Sequence, residues 1–347
     1  MKNNIYVDIH VLQNVPPSCV NRDDTGSPKT ARYGGAVRAR VSSQCWKHEI
    51  REYFRKHIND DDVGTRTKKI CRMIADEIKK IDDGISDDNA QTTAAKALDN
   101  AGIKLDKDGN SPVLMFFSKT QAAALAKLAV DNVTDKKEYK TALNSAPSVD
   151  MALFGRMVAS DADLNYDAAA QVAHAISTHA VHNEYDYFTA VDDLSEEDET
   201  GAGHLGTVEF NSSTLYRYST VNAVELQNHL GNDAPEVVKA FAEAFVKSMP
   251  TGKQNSFANR TMPDYIYITL RTDQPINLVG AFETPIKGND GYLEKSKKAL
   301  CDHANKLYEK YGCAPAKEWN LDETALPKIL EELEAKVREM LSESEEG

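Results

Sequence analysis

The 347-residue sequence contains no run of 18 apolar residues, so no segment is expected to span a membrane. Its start, Met-Lys-Asn-Asn before the polar-punctuated Ile5–Leu12, has neither the apolar core nor the cleavage site of a signal peptide. Cysteine is scarce: five residues, at 19, 45, 71, 301 and 313, with no Cys-x-x-Cys pair among them. That spacing argues against a zinc or redox motif and for reduced thiols in a cytoplasmic protein. P-loop, Rossmann and Ser-His-Asp signatures are missing. His48-Glu49 opens like a zinc-protease motif, but Glu52 stands where its second histidine is required. His174 and His179 are spaced i, i+5, which rules out a helical metal pair, and with His182 they read as core or capping residues. No cofactor and no metal is expected.

Positive charge is also short overall, with 41 Lys/Arg against 54 Asp/Glu and a net charge of −13. Its distribution is uneven. Residues 1–59 hold ten basic and five acidic side chains, a local +5, while the remainder holds 31 against 49, a local −18. Charges beyond a Debye length of about 8–10 Å are largely screened, so a phosphate ligand responds to the basic sector and not to the total.

Asn4–Leu12 alternates Ile5, Val7, Ile9 and Val11 with polar residues and reads as a half-buried strand. A loop rich in turn formers, Gln13–Gly35, follows, and Arg38–Val41 has the makings of a short strand. Ser42 or Ser43 caps a helix reaching about Ile58, with Trp46, Ile50, Phe54 and Ile58 on its buried face. Residues 60–145 turn Ala-, Lys- and Asp-rich with helical periodicity and read as a helical insertion. A further helix is expected from Asn165 to about His182. A long β-hairpin then pairs Tyr187–Val191 with His204–Tyr218 around the acidic tip Ser195–Gly203. Strands at Tyr265–Arg271 and near Ile276–Phe282, a helix at Lys295–Tyr311 and an amphipathic C-terminal helix complete the chain. Strands first and last with helices between and after them define an α+β fold.

The basic sector has internal order. Lys47, Arg51 and Arg55 recur at i, i+4, i+8 and are expected to form one stripe opposite the apolar helix face, with Glu49 and Glu52 off it. Like charges at that spacing cost a few tenths of a kcal/mol per pair, which a polyanion along the stripe would offset. Ser42, Ser43 and Gln44 add donors at a helix start already suited to phosphate. Gly34-Gly35 would let the backbone approach a ligand closely.

These residues also carry a resemblance. Ile9-His-Val-Leu, Pro17-Ser-Cys-Val-Asn-Arg-Asp-Asp, Gly34-Gly35 and Arg40-Val-Ser-Ser-Gln-Cys-Trp-Lys47 resemble the N-terminus of CasC, the backbone subunit of type I-E CRISPR Cascade. The resemblance continues through Val149–Met157, Ala173–His179, Asp186–Leu194 and Gly203–Thr207. It implies an RRM-like (ferredoxin-like) palm at 1–59, 148–184 and 222–347, helical fingers at 60–147 and a hairpin thumb at 185–221. It also implies a non-catalytic subunit, several copies of which polymerise along a CRISPR RNA. Arg22, Lys29, Ser42, Gln44, Lys47 and Arg51 would grip the RNA backbone. Met157, Phe188, Val191 and Leu205 would pack around a base displaced at regular intervals. Lys136, Lys137 and Lys140 would contact the target DNA strand, and Lys253 and Gln254 would add an RNA contact. Implied partners are the other Cascade subunits and, indirectly, a recruited nuclease-helicase. The competing reading is a metal-dependent RNA endonuclease of the type III kind, with Asp23 or Asp24 as the acid.

Overall fold

The computed structural model describes residues 4–158, 162–190 and 204–346. The chain opens with strands β1 (Tyr6–Ser18), β2 (Thr30–Tyr33) and β3 (Ala36–Val41) and helix α1 (Ser43–His57). Strand β4 (Thr65–Thr67), helices α2 (Ile70–Ile81) and α3 (Asp87–Asn100), and strand β5 (Met115–Phe117) come next. Helices α4 (Lys119–Val130), α5 (Lys136–Asn144) and α6 (Val149–Phe154) lead to strands β6 (Ala170–Val172), β7 (Ala175–Ser177), β8 (Glu184–Ala190) and β9 (His204–Asn222). The chain ends with α7 (Ala223–Leu230), α8 (Ala234–Lys247), α9 (Gln254–Phe257), β10 (Tyr265–Arg271), α10 (Leu293–Tyr311), β11 (Lys317–Asn320) and α11 (Leu326–Glu346). The fold is α+β. No helix among the described residues is long and apolar enough to cross a membrane.

Two compact units emerge. The first joins residues 1–50, 172–220 and 241–333. Its sheet has the order β11-β10-β1-β9-β7-β3-β2. Strand β1 sits near the middle, and its burial corrects the half-buried expectation: Asp8 and His10 are as fully buried as Val7, Ile9 and Val11. Much of the polar face is bonded from within, although His10 Nε2 has no hydrogen-bond partner among the described residues. Tyr218 donates to Asp8 Oδ1 at 3.0 Å, and the Ile276 N–H donates to Oδ2 at 2.8 Å. His10 bonds the Tyr216 hydroxyl at 2.9 Å and stacks on Tyr218 and Tyr267. Burial pushes Asp8 up to about 6 and His10 down to about 3.

The second unit joins residues 51–171, 221–240 and 334–347. Apolar faces of α2 to α5 pack Ile74, Ile78, Leu98, Leu125 and Leu143 into one core. Ser118 and Gln121 cap α4 reciprocally, and the Gln121 amide also donates to Leu143 O at 2.8 Å. The two short strands β4 and β5 pair antiparallel beside these helices.

Two further expectations change. The helix expected over Asn165–His182 is absent; Ala175–Ser177 instead pairs with β3 and β9, for example Ile176 with Arg40 and with Tyr216. Leu278–Phe282 is a 3-10 turn and not a strand, and β11 is an edge strand that periodicity did not announce. The hairpin arms appear as β8 and β9; its tip, Ser195–Gly203, lies outside the described residues.

Candidate nucleic-acid interface

The basic loop is held by backbone bonds within the chain. The Lys29 N–H donates to Asn21 O at 2.8 Å, and the Arg40 N–H donates to Lys29 O at 2.9 Å. The Asn21 side chain accepts from the Ser42 N–H at 2.9 Å, tying the loop to the start of α1. Within the loop, Asp23 Oδ1 accepts from the Thr25 and Ser27 N–H groups and the Thr25 hydroxyl. These bonds hold the Asp23 carboxyl below its usual range, the Thr25 hydroxyl contributing most. They bring Arg22, Lys29, Arg40 and Ser42 into one part of the first unit.

Ser42 is nearly buried, and its Oγ accepts from the Cys45 N–H at 3.4 Å, so it caps α1 and keeps its own O–H to donate. Gln44 is exposed, and Lys47 is half-buried, with burial pulling its ammonium below the usual range. Lys253 has a left-handed backbone (φ +53°) at the start of α9. Its neighbour Gly252 meets the 19–20 backbone so closely that a Cβ would lie 2.1 Å from Val20 O. The loop therefore abuts the Arg22 side: burial raises the Cys19 thiol, while the charges of Arg22 and Lys253 both pull it down. Gln254, next in the chain, is half-buried.

The stripe along α1 is not as the spacing implied. Arg51 Nε donates to the fully buried Asp150 at 2.7 Å, its Nη2 donates to Gly64 O, and its guanidinium lies 4.3 Å from the Phe116 ring centroid. Arg51 is thus a structural cation of the second unit, because a buried carboxylate needs a partner. Arg55 pairs with Glu52. Arg38 is buried as well, donating to Ser177 O and Phe282 O at 2.8 Å each. Gly34 and Gly35 form a tight β2–β3 turn with positive φ at both positions. The close approach is made to the chain itself, since a Cβ on Gly34 would collide with Glu283 O.

On the hairpin, Phe188 pairs across the ladder with Gly206, and Leu205 with Thr189. Every residue of β8 is exposed; Tyr185 and Tyr187 show 68% and 64% of their surface, and Leu205 shows 56%. Phe188 folds its ring over Gly206, where a Cβ would lie 2.4 Å from the ring. Val191 lies outside the described residues. Met157, in the second unit, is 84% exposed. Lys136 and Lys137 are exposed on the first turn of α5, which Asp135 caps, and Lys140 lies 3.7 Å from Asp163.

Of the three histidines, His179 is buried in one tautomer: Nδ1 donates to Ala180 O at 2.9 Å and Nε2 accepts from the Thr214 N–H at 3.1 Å. His174 is exposed, neither core nor cap, and its Nδ1 lies 3.1 Å from Arg40 Nη1. Sequence reasoning missed Gly206, Asn21 and the buried Arg217. The last donates to Gln13 at 2.7 Å and to Phe245 O, and stacks 3.8 Å from the Trp46 ring centroid. Only the Asn21-Arg22 neighbourhood carried a usable signal.

The first unit thus combines an antiparallel sheet, a bonded basic loop and an exposed apolar hairpin. The chain belongs to the CT1975-like family, whose model (Cas_CT1975) matches residues 7–346; these are the CasC-like proteins. Among solved structures, a chain of a "CRISPR RNA-guided surveillance complex, pre-nicking" is 32% identical, with TM-score 0.81, over 96% of this chain and 100% of that one. A chain of a "CRISPR RNA-guided surveillance complex" is 29% identical, with TM-score 0.63, over 95% and 99%. No curated protein matches the chain.

Proposed function

We propose that this chain is a non-catalytic backbone subunit of a type I-E CRISPR surveillance complex, acting in the cytoplasm. Several copies polymerise along the CRISPR RNA, hold its phosphates with the basic loop and the start of α1, and leave bases free to pair with target DNA. Phe188 and Leu205 on the hairpin, with Met157 and Val191, displace a base at intervals. Lys136, Lys137 and Lys140 face the target strand, and destruction of the target falls to a separate nuclease-helicase. The palm keeps the RRM-like plan.

The observation that carries this reading is the bonded loop itself. Asn21, Lys29 and Arg40 fix cationic side chains in one place on an otherwise acidic protein. That suits sequence-neutral binding of a backbone. Asp23, one of the two candidate acids of the nuclease reading beside Asp24, is occupied as a loop staple.

Co-expression with the other subunits and a CRISPR RNA tests the proposal. The purified particle should absorb as a ribonucleoprotein, with an ultraviolet ratio dominated by nucleic acid. A stable particle of the same subunits without RNA would contradict it.

A further inference from the structure

The Arg40 side chain and His174 meet beside the basic loop, and neither has been given a ligand above. Arg40 Nε donates to Thr30 O at 3.1 Å, and its Nη1 lies 3.1 Å from His174 Nδ1. A guanidinium carries five N–H donors. The remaining three have no partner, and neither Arg40 nor Lys29 forms an ion pair, among the described residues. Three other cations of this sector are occupied: Arg38 is buried on backbone carbonyls, Arg51 is held by Asp150 and Arg55 by Glu52. Lys29 is close enough for its charge to act on His174 together with that of Arg40. The backbone bond from Arg40 to Lys29 sets the two strands side by side.

We infer that Arg40, oriented by Thr30 O and His174 Nδ1 and flanked by Lys29, forms a seat for one phosphodiester of the bound RNA. This rests on the RNA-binding reading above and adds two residues to it. Arg40 supplies a planar fork that grips two phosphate oxygens, which a lysine at the same place could not do. His174 is a positioning residue: as a neutral acceptor it holds one edge of the fork, so the free edge faces outward.

Its surroundings favour that neutral form. Desolvation lowers His174 first, and the charges of Arg40 and Lys29 lower it further.

The test uses the full chain and a fluorescent single-stranded homopolymer RNA, with anisotropy read across a range of salt. For single strands, each phosphate contact contributes about 0.7 to the slope of log affinity against log salt. Arg40→Gln should reduce that slope by about 0.7 with an unchanged melting temperature. Arg40→Lys should keep the slope and bind more weakly. His174→Asn, which retains an acceptor in the Nδ1 position, should behave as wild type, whereas His174→Ala should bind more weakly. A wild-type slope in Arg40→Gln would overturn the seat and leave RNA binding standing. Equal behaviour of His174→Asn and His174→Ala would overturn the positioning role. If the wild-type chain shows no salt-dependent RNA binding, the broader proposal falls and the seat with it.

Discussion

Phe188 and Leu205 project from opposite faces of the β8–β9 hairpin. Residues directly across an antiparallel ladder share a face and adjacent residues alternate. Phe188 is paired with Gly206, the neighbour of Leu205, and Leu205 is paired with Thr189. The hairpin is therefore a blade with an apolar group on each side, and one displaced base cannot lean on both from the same side.

Independence of the two residues is the first prediction. Phe188→Ala and Leu205→Ala, combined in an assembled complex, should add within about 0.5 kcal/mol in a double-mutant cycle of RNA retention. Gly206→Ala should reproduce the Phe188→Ala pattern of base reactivity along the guide, because its Cβ would occupy the ring's seat. Adding it to Phe188→Ala should then change nothing.

Lys47 and Arg51, four residues apart on one helix, should separate in experiment. Lys47→Ala is expected to weaken RNA binding for any guide sequence, with little change in melting. Arg51→Ala strips the cation from fully buried Asp150, which also accepts from the Gly64 N–H at 2.8 Å and the Ser148 hydroxyl at 2.7 Å. Removing one partner of a buried pair costs about 3–5 kcal/mol, so denaturant unfolding should show the loss. Equal melting curves for the two variants would refute the assignment of Arg51 to the fold.

Asp23→Ala removes the acceptor for three donors within residues 23–27. The expected result is weaker RNA binding through a loosened loop. Labelled target RNA incubated with Mg²⁺ and the assembled complex should stay intact with or without the substitution; cleavage that vanished in the variant would restore the nuclease reading.

Asp8 gives a pH prediction with a definite sign. Its folded value of about 6 lies above the 3.8 of an ordinary aspartate, so the native state holds the proton longer than the unfolded chain. Its contribution to stability is present below about pH 4 and is lost as pH rises toward 6. Asp8→Asn has no such loss. Its stability relative to wild type should rise between pH 4 and 6, by on the order of 3 kcal/mol at most, and then level off. Chemical denaturation at each pH gives the curve; a flat difference would contradict it. His10, shared by both proteins, cancels from the comparison.

Much of the fold was legible because local patterns agreed with it. The alternation of β1, the Ser cap and apolar face of α1, the hairpin arms, α10 and α11 all follow from periodicity and capping. What escaped depended on distant partners. Asp8 and His10 read as solvent-facing because the tyrosines enclosing them, Tyr216, Tyr218 and Tyr267, lie more than 200 residues away. Residues 175–177 became a strand only through pairing with Arg40 and Tyr216. The cations were visible as charges, but which were bound internally was not. Charge spacing cannot show that Asp150 reaches Arg51, or that Arg38 ends on backbone carbonyls.

The bonds from Asn21 to Lys29 and from Lys29 to Arg40 also bear on speed. Ordering a backbone residue costs about 1–2 kcal/mol, and here that cost is incurred on folding and not on association. A preorganised loop meets its ligand without rearrangement, so encounter should be governed by electrostatic attraction and fall steeply with ionic strength. In the assembly proposed above, growth along RNA would then be limited by the delivery of subunits, not by reshaping each one as it arrives.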